Sequence, residues 1–161
     1  KRGKPQREVE FGHKLWLDEG EGGIISHFRI LAGNPADSQQ WQPSLEHHRQ
    51  QFAHPPDLAS ADRGVYSAAN ERYAQEMGVR QVILPQAGAK SATRRQYERQ
   101  PWFRRGRRWH AGIEGRISVL KRKHGLGRCL NHGEEGLGRW VGWGVIAANL
   151  AVMGHTLALR A

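Results

Sequence analysis

The 161-residue chain has a single cysteine, Cys129, which excludes a disulfide framework and any zinc site built from several thiolates. It also lacks an uninterrupted apolar run of membrane-span length. The nearest candidate, 134–160, is broken by Asn149, His155 and several glycines, so it is expected to be a packing helix and not a membrane segment. The chain opens on Lys1 and shows no basic-apolar-small leader pattern, so no secretion signal is expected and the chain reads as a fragment. Its glycines include no Gly-Lys-Ser/Thr phosphate loop. Acidic residues are also scarce over one long stretch: residues 86–128 hold 13 Lys and Arg but only Glu98 and Glu114, a net charge of +11. The rest of the chain carries −1, so the whole excess of +10 sits in one block. Such a density of one sign is the footprint of a polyanion partner, nucleic acid above all; a solvated basic surface is the plainer reading.

What is present reads as an α/β pattern. Apolar residues make up 38 % and charged residues 25 %, ordinary globular values. Residues 9–19 (VEFGHKLWLDE) and 24–32 (IISHFRILA) are rich in strand formers and are joined by Gly20-Glu21-Gly22-Gly23, a hairpin signal. Gly33-Asn34-Pro35 turns the chain, and Asp37 or Ser38 is expected to cap a helix over about 38–52. A short strand over 57–62, a helix over 67–77 stopped by Gly78, and a compact strand over 80–85 follow. Residues 86–105 are polar and basic and read as a linker or insertion, with Tyr97, Trp102 and Phe103 among the arginines. A helix is expected over about 106–124. In the last segment Trp143, Ile146, Leu150, Met153 and Leu157 recur at spacings of three and four, so they are expected to be the buried face.

Two acids stand out. Asp62 ends a strand and is followed by Arg63-Gly64, the position at which open α/β sheets place their ligands. The plainer reading is a turn-forming aspartate. Glu114 stands alone among Arg104, Arg105, Arg107, Arg108, Arg116 and Lys121. On a helical wheel Trp109, Ile113, Ile117 and Leu120 share an arc of about 80°, the expected buried stripe. Arg107, His110, Glu114 and Lys121 share an adjoining arc of about 60°. A surface salt-bridge face is the alternative. Carboxylates brought together from separate elements can hold the two divalent ions of phosphodiester chemistry, and hard oxygen ligands suit Mg²⁺. Surrounding cations would position the scissile phosphate. His47, His48 and His54 read as exposed histidines, Cys129 and His132 as half a zinc spacing without a second half, and Trp109 as a core residue.

On these residues the sequence resembles the catalytic domain of bacterial insertion-sequence transposases with an Asp-Asp-Glu triad, in its C-terminal part. The resemblance spans nearly the whole chain and rests on VEFGHKLWL, GNPADS, ADRGVYSAANE around Asp62, and RRWHAGIEGRISVLKRKHGLGR around Glu114. The family's second aspartate lies in an Asp-x-Gly context, matched by Asp62-Arg63-Gly64. Its third acid lies in a helix ordered tyrosine, two residues, arginine, three residues, glutamate, six residues, lysine. Arg107, His110, Glu114 and Lys121 occupy those places, so the glutamate and lysine match while the tyrosine and arginine do not.

The resemblance implies a ribonuclease H-like fold, a mixed sheet flanked by helices, here as one truncated domain over 1–161 that lacks its first strand. It implies metal ligation by Asp62 and Glu114, with Mg²⁺ or Mn²⁺ as cofactor, and DNA contacts by Arg104, Arg105, Arg107, Arg108, His110, Arg116 and Lys121. The implied activity of the parent enzyme is DNA strand cleavage and strand transfer at element ends. The partners implied are double-stranded DNA and a second copy in a homodimer, with no membrane, in the bacterial cytoplasm at the nucleoid. The family's first aspartate has no counterpart, since Asp18 falls at a hairpin tip, so the fragment is expected to be inactive alone. The competing expectations are a non-enzymatic nucleic-acid-binding module and a nuclease of the same fold.

Overall fold

The computed structural model describes residues 12–160. Its elements run β1 (Lys14–Glu19), β2 (Ile25–Leu31), α1 (Trp41–Phe52), β3 (Leu58–Ser60), α2 (Ala68–Met77), β4 (Gln81–Ile83), α3 (Ala92–Arg99), α4 (Pro101–Lys123) and α5 (Gly133–Ala158), with single 3-10 turns at Glu21–Gly23, Asp37–Gln39 and Arg63–Val65. The class is α/β, as expected. The strands form two separate two-stranded sheets, β1 with β2 and β3 with β4. The residues gather in two compact units, Asn34–Gly112 and the segments on either side of it.

In the unit formed by the N-terminal hairpin and the C-terminal helices, β1 and β2 are antiparallel and pair Leu15 with Ile30 and Leu17 with Phe28. Alternation along each strand puts these four apolar side chains on one face. They pack against Ile25, Leu120, Val141, Val145 and Ala148. On the opposite face Asp18 accepts from Trp16 Nε1 at 2.7 Å and lies 3.1 Å from His27 Nδ1. Gly23 holds a left-handed φ of 81°, which favours glycine, and the Arg116 guanidinium lies over it and pairs with Glu19 at 3.4 Å.

The face of α5 that is buried differs from the expected one. Trp143, Ile146, Leu150, Met153 and Leu157 are exposed, whereas Gly136, Val141, Gly144, Val145 and Ala148 are buried. The reason is closeness of approach. A Cβ on Gly144 would stand 2.8 Å from Leu126 and 2.9 Å from the His124 carbonyl, so only the small-residue face fits there. Asn149, which interrupts the apolar run, accepts from Ile25 N–H and donates to Ile25 C=O, both at 2.9 Å. By length and composition α5 is apolar enough to cross a membrane.

In the unit spanning Asn34–Gly112, β3 and β4 are parallel, with Ala59 opposite Val82. Val82, Ile83 and Leu84 are fully buried, together with Ala59, Ala61, Val65, Ala74 and Phe103. Helix α2 starts at Ser67, whose hydroxyl accepts from Asn70 N–H, and stops at Gly78 with φ of 102°. The buried Asn70 side chain ties this helix to the preceding loop through Ser38 C=O at 2.8 Å and Val65 C=O at 2.9 Å. Helix α1 begins later than expected, at Trp41, and neither Asp37 nor Ser38 caps it; Asp37 instead opens a 3-10 turn. His48 stacks on Phe52 at 4.6 Å, and both His47 and His48 are half-buried, not exposed.

The stretch 86–105, expected as a linker or insertion, contains all of α3 and the first turns of α4. Helix α3 has almost no apolar residue beyond Tyr97, and ion pairs hold it instead. Arg94 is 11 % exposed and bonds Glu71 at 2.7 Å and Glu98 at 2.9 Å, and it donates to Leu84 C=O. Its guanidinium lies 4.6 Å from the Tyr66 ring centre and 5.0 Å from that of Tyr97. Glu98 is held further by the Gln86 N–H at 2.9 Å and by Lys90 Nζ. Tyr97, Trp102 and Phe103 form an edge-to-face trio at the corner where α3 meets α4.

Candidate functional site

Strand β3 ends where the ladder does. Ala61 N–H still donates to Ile83 C=O, and Asp62 is the next residue, at the carboxyl end of the strand. Val65 N–H then closes a turn onto Asp62 C=O at 3.0 Å. The turn leaves the Asp62 side chain 75 % exposed. Gly64 faces Asp37: a Cβ at Gly64 would lie 3.5 Å from an Asp37 carboxylate oxygen, so a second acid borders the same turn.

His110 on α4 meets this carboxylate. Its Nε2 stands 3.1 Å from Asp62 Oδ1, and the ring is mostly buried, its side chain 19 % exposed. With the proton on Nε2 the imidazole donates to the carboxylate and orients it. Asp62 Oδ2 has no protein partner among the described residues, so one hard oxygen stays available to a cation. Helix α4 reaches this position because it packs closely on β4: a Cβ at Gly106 would fall 1.9 Å from Ile83 Cδ1. A glycine one turn before His110 thus lets the helix approach the sheet.

Glu114 lies four residues beyond His110 in α4, but its side chain is outside the described residues. Among the described residues, no three His, Cys, Asp or Glu side chains gather as a metal-binding group, and Cys129 only bonds Asn131 C=O.

The expected DNA-contacting residues divide. Arg104, Arg105, Arg107 and Arg108 are exposed along α4, and Lys121 is exposed in its last turn. Arg116, in contrast, is half-buried and engaged by Glu19 and the Gly23 turn, so it does not stand free for a phosphate. The expected buried stripe of α4 shifts as well. Trp109 is 45 % exposed and Ile117 is exposed, while Phe103, Gly106 and Leu120 are buried. The sheet contact at Gly106 selects the Phe103–Gly106–His110 side of the helix, not the side bearing the larger Trp109. Sequence reasoning passed over Lys90, Arg95 and Arg99, which share a cleft with Arg104 and Arg107. The i, i+4 spacing of Arg95 and Arg99 was the available signal, obscured by taking the segment as a linker.

Residues 69–154, more than half of the chain, match the family described as Transposase DDE domain. The matched segment includes His110, Glu114 and Lys121 and begins after Asp62. No curated protein and no solved structure matches. Because the family match covers more than half of its residues, the chain belongs to the transposase DDE domain family.

Proposed function

We propose that the chain is the C-terminal part of a ribonuclease H-like catalytic domain of an insertion-sequence transposase. In this reading Asp62 and Glu114 are two of the three carboxylates that hold Mg²⁺ or Mn²⁺. The carrying observation is the Asp62–His110 pair, 3.1 Å apart. It fixes one carboxylate at a strand end beside the helix that carries the lone glutamate. When bound, the divalent ions supply an activated attacking oxygen and a stabilised leaving oxygen. The protein's own contribution is to orient the Asp62 carboxylate through His110, and to hold the DNA backbone with the exposed cations of α4.

The strands pair as two separate sheets, one antiparallel and one parallel, so the support for the single mixed sheet of this reading is the family match and not the strand pairing. Asp18 is tied to Trp16 and His27 within its own hairpin and is a structural acid in this reading. On the same reading the fragment binds duplex DNA without cleaving it. The parent cleaves and transfers strands as a homodimer at the bacterial nucleoid.

The test is DNA affinity with and without Mg²⁺ or Mn²⁺. The wild-type chain should bind more tightly with the ion, and Asp62→Asn and Glu114→Gln should each remove the gain while leaving ion-free binding intact. Mg²⁺-dependent nicking that disappears on Asp62→Ala would overturn the inactivity. A second reading is a non-enzymatic nucleic-acid-binding module, for which the net charge of +11 over residues 86–128 is sufficient. It requires that Glu114→Lys leave binding unchanged or improve it, and that the divalent ion have no effect. A nuclease of the same fold would differ from a transposase in forming no strand-transfer product.

A further inference from the structure

We infer that the cleft between α3 and the start of α4 is a phosphate-binding groove for the backbone of duplex DNA. This inference rests on the DNA-binding reading above and adds Lys90, Arg95 and Arg99 to the cations of α4. The cleft has a volume of about 490 Å³ and is lined by Lys90, Arg95, Glu98, Arg99, Arg104 and Arg107. Arg95 and Arg99 lie one turn apart on α3. Arg104 and Arg107 lie one turn apart on α4. The chain folds at Gln100–Pro101 so that the two rows border the same space.

Lys90 and Glu98 pair with each other, so four arginines carry the net positive charge of the lining. Glu98 is buried and bonded by Lys90, Arg94 and the Gln86 N–H. Its carboxylate pKa is held below the ordinary value: burial pushes it up, and the bonds from Lys90, Gln86 and Arg94 outweigh that. Arg99, Arg104 and Arg107 have no carboxylate partner among the described residues, and Arg95 bonds only the Lys90 carbonyl. Such like charges repel in the free protein, and an anion between them relieves the repulsion. Planar guanidinium forks match phosphate oxygens two at a time.

The lining selects the kind of partner. A lipid-binding surface pairs its basic face with an apolar one that enters the acyl boundary. Here every lining residue is charged. Rows at helical spacing on two walls suit a regularly charged backbone, which DNA supplies and which requires no base contact.

The experiment uses the full chain, a fluorescent random-sequence duplex and a KCl series. The variant Arg95→Gln/Arg99→Gln/Arg104→Gln/Arg107→Gln is compared with Arg49→Gln/Arg72→Gln/Arg80→Gln/Arg139→Gln, which removes the same net charge elsewhere. The cleft variant should lose about 3 to 4 units from the slope of log K against log salt, at about 0.9 per phosphate contact. The control should keep the wild-type slope. Lysine at the same four cleft positions should restore the slope, which separates lost contacts from lost folding. Equal losses in cleft variant and control, or an unchanged slope in the cleft variant, would overturn the groove while leaving DNA binding standing. A wild-type chain that ignores the duplex would overturn the DNA reading itself, and binding to anionic phosphatidylglycerol vesicles instead would make the partner a lipid surface.

Discussion

Arg94→Ala removes the cation that holds α3 in place, and its cost can be worked from the contacts. Arg94 is 11 % exposed, and its partners Glu71 and Glu98 are 16 % and 6 % exposed. Glu98 would retain Lys90 and the Gln86 N–H, but Glu71 would lose its ion-pair partner. Breaking a buried pair from one side costs about 3–5 kcal/mol. Partial hydration of Glu71 lowers that, and losing the guanidinium over Tyr66 and Tyr97 adds about 0.5–1 kcal/mol for each ring.

A loss of about 4 kcal/mol is therefore expected, a large share of the roughly 5–15 kcal/mol that stabilises a domain. Arg94→Lys keeps the charge but cannot reach two carboxylates and a carbonyl in one plane, and should cost about half as much. Urea unfolding followed by tryptophan fluorescence measures both. The double variant Arg94→Ala/Glu71→Gln should recover about 1–3 kcal/mol, the coupling of a shared pair. The reasoning is refuted if Arg94→Ala costs under about 1 kcal/mol while weakening DNA binding as much as the cleft variant does. Arg94 would then be an outward phosphate contact and not an internal tie.

Two further predictions concern the same region. The lowered pKa of Glu98 means that its contribution to stability is complete above the ordinary carboxylate value of 4.5 and is lost as pH falls through its lower folded value; urea midpoints from neutral pH downward should show an acid-side loss that Glu98→Gln makes shallower. Along α4, Gly106→Ala should destabilise by about 1–3 kcal/mol because its Cβ would overlap Ile83, whereas Gly112→Ala, with nothing within 4 Å of the new methyl, should stabilise by up to about 1 kcal/mol; thermal unfolding of the two variants checks the opposite signs.

Local signals were readable where one residue type has one physical use. Gly78 ends α2 as expected because a left-handed residue must end the helix, while Ser67, expected as its first residue, is its cap. The Asp62 turn and the helix bearing His110 were each visible in the sequence, and the structure brings those two side chains together. Two other features were not legible because long-range packing decided them. In α5 the largest apolar side chains gave the clearest stripe, yet closeness to Leu126 and the His124 carbonyl admits only glycine and small residues. In α3 a mostly buried arginine ties the helix down by ion pairs, and pattern reading assigns charged residues to solvent. The net charge of the basic block therefore overstates what a partner meets, since Arg94 and Arg116 spend theirs inside the protein.

The Asn149 amide has a consequence for how α5 is seated. A side-chain amide resembles a peptide group, with a carbonyl that accepts and an NH₂ that donates. By bonding both the N–H and the C=O of Ile25, it offers the first residue of β2 what a neighbouring strand would offer. The close fit of Gly144 against Leu126 and the His124 carbonyl already limits where the helix can lie, and the amide adds a directional pair of bonds to that fit. Sliding α5 by a single residue moves it about 1.5 Å and turns it by about 100°, which would break both bonds at once. One polar residue among the apolar ones of this helix thus acts as a detent, reinforcing the register that the glycine contact favours.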